Sequence, residues 1–389
     1  MSAMNRRDWL RTSALFTGSL PFLAGAWNGV AAMSEHSLKG RAPRRLTDAE
    51  FGALAPRELK ARLFANENPF GPSAKAKQAI MDSIASSYQY PFMHLKELEE
   101  KISAHEGLGK DMILLGAGSS PLLTAAGVCF GSSGGNVISG DPSYDDMPES
   151  AEKVGAQWIK VPLTADYKLD LDAMEAAVNA DTKLVYVCNP NNPTATTVDT
   201  DRLRAFCERV SQKTTVFVDE AYIDYLPDPL AATMVDGVKK GQNIIVARTF
   251  SKLYGFAGLR VGYIIAQPAL LEKIGKVTKG PWSISAPALG AAIASYQDTP
   301  YLQDALQKTS ASKEYLYKVL KEEGYEYIPS AANFVMFPLK MDGARFVEEM
   351  MKRGVGVRNW EFNEKEWCRI SIGRMDEMEA FATAFKEIS

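Results

Sequence analysis

The chain has 389 residues, a formal net charge of −3, 46% hydrophobic residues and 23% charged residues. At roughly 150 residues per domain this length favours two or three domains, and the composition excludes a disordered, collagen-like or coiled-coil chain. The charge gives no electrostatic basis for binding nucleic acid. The four cysteines lack C-x-x-C spacing, so we expect free thiols and no metal site.

The first 32 residues are typical of an export signal. Arg6 and Arg7 precede Trp9 and Leu10, and an apolar stretch covers residues 12–27. This stretch contains Thr, Ser, Gly and Pro and is too weakly apolar to span a membrane. The paired arginines resemble a twin-arginine signal, which predicts a periplasmic protein with no stable membrane association after export. The alternative is an uncleaved amphipathic helix on a cytoplasmic enzyme.

Residues 33–62 show little periodicity, which predicts an extended arm or a short helix. We expect residues 33–72 to form an N-terminal arm that is part of the smaller of two domains. A turn rich in proline and glycine lies at residues 69–72. Ser73 is placed to cap a helix whose apolar positions include Ala76 and Ile80.

Helices and strands then alternate over residues 73–290, which predicts one large domain. Runs of consecutive apolar residues, many of them β-branched, predict strands that are buried on both faces. We expect these strands at residues 112–115, 137–138, 158–161, 184–187, 216–218, 244–247 and 261–265. Helical patterns lie between them at residues 93–106, 120–130, 171–178 and 199–210. The sequence therefore predicts an α/β fold, with a three-layer αβα domain around a mostly parallel sheet.

The pattern changes over residues 291–389, which predict a smaller α+β domain. The expected elements are a long helix at residues 301–322, strands at 334–337, 355–358 and 368–372, and helices at 344–351 and at the C-terminus.

A lysine and an acid come just after two of the buried strands. Lys252 lies between hydroxyl side chains and a glycine-rich segment, and Arg260 follows eight positions later. Asp219 directly follows the strand at residues 216–218. Ligands of open α/β sheets bind beyond the carboxyl ends of the strands, so we expect Lys252 and Asp219 to face one crevice.

Seven short motifs occur in order along the chain. They are NENPFGP at residues 66–72, GAGSS at 116–120, DPSY at 141–144, NPNNPT at 189–194, DEAY at 219–222, Ser251-Lys252, and Arg260. Each motif alone is weak, whereas seven in order are specific. From about residue 63 to the C-terminus the chain resembles the fold type I enzymes that use pyridoxal 5′-phosphate (PLP). Within them it is most similar to the histidinol-phosphate-aminotransferase-like branch of aminotransferase class I/II.

The resemblance implies that PLP is the cofactor and that Lys252, Asp219 and Tyr222 are catalytic. Lys252 matches the lysine that forms a Schiff base with PLP and transfers protons. Asp219 would pair with the pyridine nitrogen and keep it protonated. Tyr222 and Asn192 would donate to the ring oxygen O3′. The alternatives are a core packing role for Tyr222 and a simple turn at Asn192.

The phosphate of PLP requires main-chain N–H groups at a helix N-terminus together with hydroxyl and guanidinium donors. The resemblance assigns this binding to Gly118, Ser119, Ser251 and Arg260, with Thr249 as a weaker candidate.

Two tyrosines complete the expected cofactor site. Tyr144 would stack on the face of the ring. Tyr90 matches a tyrosine that this family sends across a dimer interface to the cofactor phosphate. The resemblance therefore implies a homodimer in which Tyr90 reaches the other subunit's site. Tyr88 is the alternative residue for this role, and packing is the alternative role.

The smaller domain is expected to recognise the substrate. Arg369 matches the arginine that binds a substrate α-carboxylate as a bidentate pair. Arg358 matches an arginine that contacts a distal anionic group such as a phosphate, a surface arginine being the alternative. Asn68 would close over the site, or would belong only to a structural turn.

Two positions depart from the family pattern. Ala195 stands where a glycine usually follows Asn-Pro-Thr, which constrains that loop. Ser120-Pro121 replaces an acidic pair that is common after the phosphate-binding serine. Proline suits the first turn of a helix, so phosphate binding is unaffected, but the changed charge leaves the identity of the substrate open.

The resemblance implies a PLP-dependent aminotransferase. The donor would be an amino acid or amino-alcohol phosphate, of histidinol-phosphate-like or aromatic type, and the acceptor a 2-oxo acid such as 2-oxoglutarate. A PLP-dependent decarboxylase of amino-acid phosphates with the same fold, and a non-catalytic PLP-binding protein, are the alternatives, because fold does not settle function. Histidine biosynthesis belongs in the cytoplasm, so the export signal favours a paralogue with another amino donor.

Overall fold

The computed structural model describes residues 59–388. The export signal expected in residues 1–32 and most of the expected arm lie outside the described residues. None of the described helices is both long enough and apolar enough to cross a membrane.

Strands of the described chain form three sheets. They are β1 (Ala61–Arg62), β2 (Ile113–Gly116), β3 (Asn136–Asp141), β4 (Gln157–Pro162), β5 (Thr182–Cys188), β6 (Thr215–Asp219), β7 (Ile244–Thr249), β8 (Gly262–Ile265), β9 (Phe334–Pro338), β10 (Val355–Gly356), β11 (Arg358–Phe362) and β12 (Lys365–Ser371).

The α-helices of residues 59–388 flank these sheets. They are α1 (Ala74–Ile84), α2 (Phe92–Glu106), α3 (Ser120–Gly131), α4 (Asp146–Glu152), α5 (Leu171–Ala176), α6 (Thr200–Val210), α7 (Pro229–Ala232), α8 (Val235–Lys239), α9 (Pro268–Gly275), α10 (Ala286–Ser295), α11 (Thr299–Glu322), α12 (Gly343–Lys352) and α13 (Met375–Lys386). Short 3₁₀ turns lie at Lys110–Met112, Ile223–Tyr225 and Gly280–Ser283.

The large sheet has seven strands in the order β2-β8-β7-β6-β5-β3-β4. Strand β8 is antiparallel to both of its neighbours, and the remaining pairs are parallel. Val216 and Val218 pack into one hydrophobic core, whereas Phe217 between them packs into a second core. The sheet is therefore buried on both faces, with helices on each side. This arrangement confirms the predicted α/β fold and its mostly parallel sheet.

The second part of the fold is built around the antiparallel sheet β11-β12-β9. Its hydrophobic core contains Phe337, Phe346 and Phe385 from the C-terminal region together with Ala61 and Leu63 from the N-terminal segment. Strand β1 pairs in parallel with β10, which ties the start of the described chain to this core. The C-terminal part of the chain thus packs against the first described residues.

The predicted domain boundary after residue 290 falls within α10. Ala288, Leu289 and Ala292 of this helix belong to the first hydrophobic core, with the strands of the large sheet. The domain boundaries stay a prediction. The packing of α10 against the large sheet indicates that this helix belongs to the larger predicted domain.

The strand predicted at residues 355–358 is divided in the structure. Val355–Gly356 pairs with β1, and Arg358 begins the hairpin of β11 and β12. The turn of this hairpin places Asn363 and Glu364 at φ values of 51° and 57°. Turns with two left-handed residues usually contain glycine, as in Asn-Gly. Because glutamate occupies the second position, the sequence carries only a weak hairpin signal.

Helices α3 and α4 pack closely enough to require glycine. A Cβ atom added at Gly127 would lie 2.4 Å from the main-chain oxygen of Met147. We therefore expect Gly127→Ala to lower the free energy of unfolding by about 1–3 kcal/mol, the usual range for overpacking.

Gly275, the last residue of α9, is the matched control because an added Cβ would meet nothing within 4 Å. Gly275→Ala should leave stability unchanged or raise it by up to about 1 kcal/mol, through helix propensity. Denaturant unfolding of both variants checks the expectation, and equal effects at the two positions would contradict it.

Candidate active site

A cavity of about 290 Å³ opens at the carboxyl ends of the parallel strands. Cys188, Asp219 and Thr249 are the last residues of β5, β6 and β7, and all three line it. Residues 65–67 of the N-terminal segment and Trp360 of β11 form other parts of its wall. Ligands of α/β sheets bind at this edge, so we treat the cavity as the active site.

The cavity brings together ten residues to which the sequence assigns a role. They are Ser119, Tyr144, Asn192, Asp219, Tyr222, Thr249, Ser251, Lys252, Arg260 and Arg369.

Asp219 is a buried carboxylate with only 2% of its surface exposed. Its Oδ2 accepts a hydrogen bond from Tyr186 Oη at 2.9 Å, and its Oδ1 accepts one from the main-chain N–H of Ala221 at 3.1 Å. Burial raises the pKa of Asp219 to about 6, and the Tyr186 hydroxyl opposes this rise. A carboxyl group held in this way is suited to a partner that brings its own proton.

The next residue, Glu220, makes its contacts outside the cavity lining. Its Oε2 forms an ion pair with Arg248 Nε at 2.7 Å, and its Oε1 accepts from the Met234 N–H at 2.7 Å. Thr233 Oγ1 also donates to it. Arg248 lies on β7, so this pair joins the ends of β6 and β7.

Lys252 presents its amine between the large sheet and the N-terminal segment. Its Nζ donates to the main-chain oxygen of Asn66 at 3.2 Å and lies 5.1 Å from the centre of the Tyr222 ring. The Asn66 side chain in turn donates from Nδ2 to Tyr222 Oη at 2.9 Å. One residue of the N-terminal segment therefore contacts two of the predicted catalytic groups.

Arg260 lies in a cradle of polar groups that is suited to binding an anion. Its Nη1 donates to Ser251 Oγ at 3.1 Å and to the oxygen of Ala257 at 2.9 Å. A Cβ atom added at Gly118 would lie 2.3 Å from Arg260 Nη2, so only glycine lets the guanidinium rest on this loop. Ser119 is the N-cap of α3, which adds helix N-terminal N–H groups to the cradle.

Arg369 is fixed by neighbours on several sides. Its Nη1 donates to Asn192 Oδ1 at 2.8 Å, and its Nη2 donates to the oxygen of Phe64 at 3.1 Å. The guanidinium carbon lies 5.6 Å from the ring centre of Phe334 and 5.7 Å from that of Trp360. These contacts hold the charged group at the cavity wall.

Tyr144 is held at the wall by polar neighbours. Its Oη donates to Asp146 Oδ2 and lies 3.5 Å from Ser120 Oγ. Burial, together with the charge of Asp146, raises the pKa of Tyr144 well above its ordinary value. The phenol therefore stays neutral.

Four predicted residues do not line this cavity. Gly118 lies behind Arg260. Asn68 Nδ2 donates to the oxygen of Leu253 at 2.6 Å, and Asn68 lines an adjoining cavity. Arg358 is buried opposite Arg369 in the hairpin. Tyr90 is 78% exposed. The roles assigned to these residues stay predictions.

Sequence reasoning did not assign roles to three residues of the site. Tyr186 is read as one more apolar residue of β5, although its hydroxyl reaches Asp219. Asn66 belongs to the first quoted motif, but that motif gives no sign of which side chains it meets. Trp360 lies two positions after Arg358 in β11 and so shares its face of the strand. This spacing was the one sequence signal that could have placed Trp360 near the site.

Ala195 has a left-handed backbone with φ of 59°. This conformation favours glycine, in agreement with the departure noted at this position. The side chain is fully buried beside Ala221 and Phe334.

The cavity fits the cofactor that the sequence implies. PLP requires an amine, an acid beneath a ring nitrogen and a phosphate site, and Lys252, Asp219 and the Arg260 cradle supply these in one cavity. Glycine at position 118 keeps the guanidinium in this place, since a methyl group there would displace it.

Comparison with known proteins agrees with this geometry. Residues 60–385 match the model of the aminotransferase class I and II family. A histidinol-phosphate aminotransferase of Moorella thermoacetica is 34% identical over 329 residues, which cover 84% of this chain and 85% of that protein. Histidinol-phosphate aminotransferase 2 of Ralstonia nicotianae is 37% identical over 341 residues, or 87% of this chain and 90% of that protein.

A solved structure shows the same similarity. The histidinol-phosphate aminotransferase of Sinorhizobium meliloti, in complex with pyridoxal-5′-phosphate, superposes with a TM-score of 0.81 and 25% identity. The superposition covers 95% of this chain and 98% of that chain.

Asp219 should give the cofactor-free protein a pH-dependent stability. Its pKa is about 6 in the folded chain and about 3.9 when unfolded. Between these values the unfolded chain has lost a proton that the folded chain retains. The free energy of unfolding should therefore fall by roughly 3 kcal/mol as pH rises from about 3 to 7, most steeply between about 4 and 6.

The reference is Asp219→Asn, which cannot titrate, so other buried acids cancel in the difference between the two curves. Chemical unfolding at several pH values measures both proteins. Parallel curves would contradict the raised pKa.

Proposed function

Because this chain belongs to the aminotransferase class I and II family, we propose that its amino donor combines a flat ring with an anionic group. The protein is a PLP-dependent aminotransferase. Histidinol phosphate and the aromatic amino acids are the two kinds of donor with this chemistry. The acceptor is a 2-oxo acid such as 2-oxoglutarate.

A pair of arginines carries the proposal. Arg358 and Arg369 lie directly opposite each other on β11 and β12, so their side chains share a face with Cβ atoms about 5 Å apart. Both are buried, and Arg369 lines the cavity. Arginine side chains on one face of this hairpin favour a ligand with charged oxygen atoms, as in a phosphate or carboxylate.

The ring of the donor has a matching surface. Trp360 lines the same cavity, and its ring centre is 5.7 Å from the guanidinium carbon of Arg369. An imidazole or phenyl group beside the anion would pack against this indole. The names of the similar proteins support the histidinol phosphate form of the donor.

The side chains of the cavity have separate roles toward PLP or the substrate. When bound, PLP supplies an aldehyde that reacts with amines and a ring that accepts electrons. Lys252 Nζ acts as nucleophile and as the base that takes and returns a proton. Asp219 holds a protonated ring nitrogen, and Arg260 with Ser251 binds the phosphate. Arg369 orients the anionic end of the substrate.

The active form we propose is a homodimer. Tyr90, Phe92 and Trp282 are exposed and adjacent, with ring centres 6.2 Å apart for the first pair and 5.3 Å for the second. An exposed aromatic cluster of this kind marks a binding surface. A second copy of the chain covers it, and Tyr90 reaches the partner's cavity. A native mass equal to one chain in sedimentation equilibrium would contradict this.

We also propose that residues 1–32 direct export of the protein to the periplasm. The paired Arg6 and Arg7 support it. Recovery of the full chain only from the cytoplasmic fraction of its host would contradict it.

A donor panel tests the function. The visible absorbance of the purified protein should bleach with histidinol phosphate or with an aromatic amino acid, and return on addition of 2-oxoglutarate. Lys252→Ala should lose both the visible band and all transamination, because Lys252 is the only lysine among the described residues that line the cavity. Spectra and coupled assays measure the two effects.

Lys276→Ala is the control, since Lys276 is an exposed lysine on the surface, and it should behave as the wild type. Full activity of Lys252→Ala would overturn the assignment of the lysine. Bleaching by alanine alone would overturn the proposed donor class. Bleaching by aromatic amino acids but not by histidinol phosphate would identify a paralogue with another donor.

A further inference from the structure

Asn66 belongs to the N-terminal segment and contacts groups from both parts of the fold. Its main-chain oxygen accepts from Lys252 Nζ at 3.2 Å. Its Nδ2 donates to Tyr222 Oη at 2.9 Å, and its Oδ1 accepts from Ser371 Oγ at 3.0 Å. Asn66 is buried, with 6% of its surface exposed, so water does not substitute readily for these contacts.

The hydrogen bond to Tyr222 decides where the phenol proton points. A phenol has one proton to donate and lone pairs that accept, whereas an amide NH₂ group donates only. Because Asn66 Nδ2 donates to Tyr222 Oη, the proton of that hydroxyl cannot point back at Asn66. It is left for an acceptor on the cavity side, which Tyr222 lines.

Ser371 bonds the opposite end of the Asn66 amide from Tyr222. Its hydroxyl donates to Asn66 Oδ1, which leaves the NH₂ end for the phenol. Ser371 lies two positions after Arg369 on β12, so both side chains are on the same face of that strand. Ser371, Asn66 and Tyr222 therefore form a chain of hydrogen bonds from the substrate-binding strand to the neighbourhood of Lys252.

We propose that Asn66 is a positioning residue that directs the Tyr222 hydroxyl proton into the cavity. The inference rests on the proposed roles of Lys252 and Tyr222 toward PLP. In this arrangement the Tyr222 hydroxyl donates towards the cofactor. It thereby stabilises the deprotonated form of the group that gives the holoenzyme its visible band. Asn66 acts through Tyr222, because its Nδ2 and Oδ1 are already engaged by Tyr222 and Ser371.

The test follows the pH midpoint at which the visible band of the holoenzyme changes. Asn66→Ala should raise this midpoint by roughly 0.5–1 pH unit, the equivalent of one weakened hydrogen bond. Tyr222→Phe should raise it at least as far. Adding Asn66→Ala to Tyr222→Phe should then produce no further rise, because the group through which Asn66 acts is absent.

Asn333→Ala is the matched control. Asn333 is a buried asparagine that donates to the main-chain oxygen of Glu67 at 3.1 Å, so it holds the same segment without contacting Tyr222. Its replacement should leave the midpoint unchanged. Ser371→Ala removes one hydroxyl from the chain of hydrogen bonds and should raise the midpoint by a smaller amount, which keeps the test available if Asn66→Ala does not fold.

The outcomes separate this inference from the proposed function. Equal shifts by Asn66→Ala in the wild-type and Tyr222→Phe backgrounds, or an equal shift by Asn333→Ala, would overturn the positioning role and indicate a general loosening of the segment. If the visible band of the wild type titrates, and the midpoints of Asn66→Ala and Ser371→Ala equal that of the wild type, the positioning role is overturned as well. A wild type that lacks a visible band would overturn the roles of Lys252 and Tyr222, and this inference with them.

Discussion

Two adjacent buried carboxylates at the end of β6 constrain the whole active site. Burying a charge is unfavourable unless it is paired or well hydrogen-bonded. Glu220 satisfies this requirement through Arg248, at 2.7 Å. Among the described residues Asp219 accepts hydrogen bonds from neutral donors, Tyr186 and Ala221. Burial raises the pKa of both carboxyl groups, to about 6 for Asp219. The strand end is thus anchored by one acid, while the other is left to meet a ligand.

This anchoring also connects the acid to the lysine. Arg248 lies on β7, four positions before Lys252, and it is bound to the residue next to Asp219. The register between β6 and β7 places Asp219 beside Ala247. The distance between the acid and the lysine loop is therefore determined by main-chain pairing and by a buried ion pair. Neither depends on flexible surface contacts.

The sequence predicted those features that depend on local pattern. Strands such as β6 are recognisable because both faces are buried and consecutive residues are apolar. Lys252 and Asp219 are recognisable because each follows such a strand within a specific motif. Tyr186 and Asn66 escaped notice because their roles depend on partners 33 and 156 positions away. The hairpin of β11 and β12 was missed because its turn holds Glu364 in a conformation that glycine usually adopts.

The packing of the C-terminal part of the chain against the first described residues has a consequence for biosynthesis. The hydrogen bond between Ser371 and Asn66 joins residues 305 positions apart, and β1 pairs with β10 near the other end of the described chain. Contacts of this separation form late, after most of the chain is available. A ribosome-bound nascent chain that ends before β12 contains the lysine and the acid but lacks the far wall of the cavity. Assembly of the complete pocket consequently requires that β12 has already been synthesised.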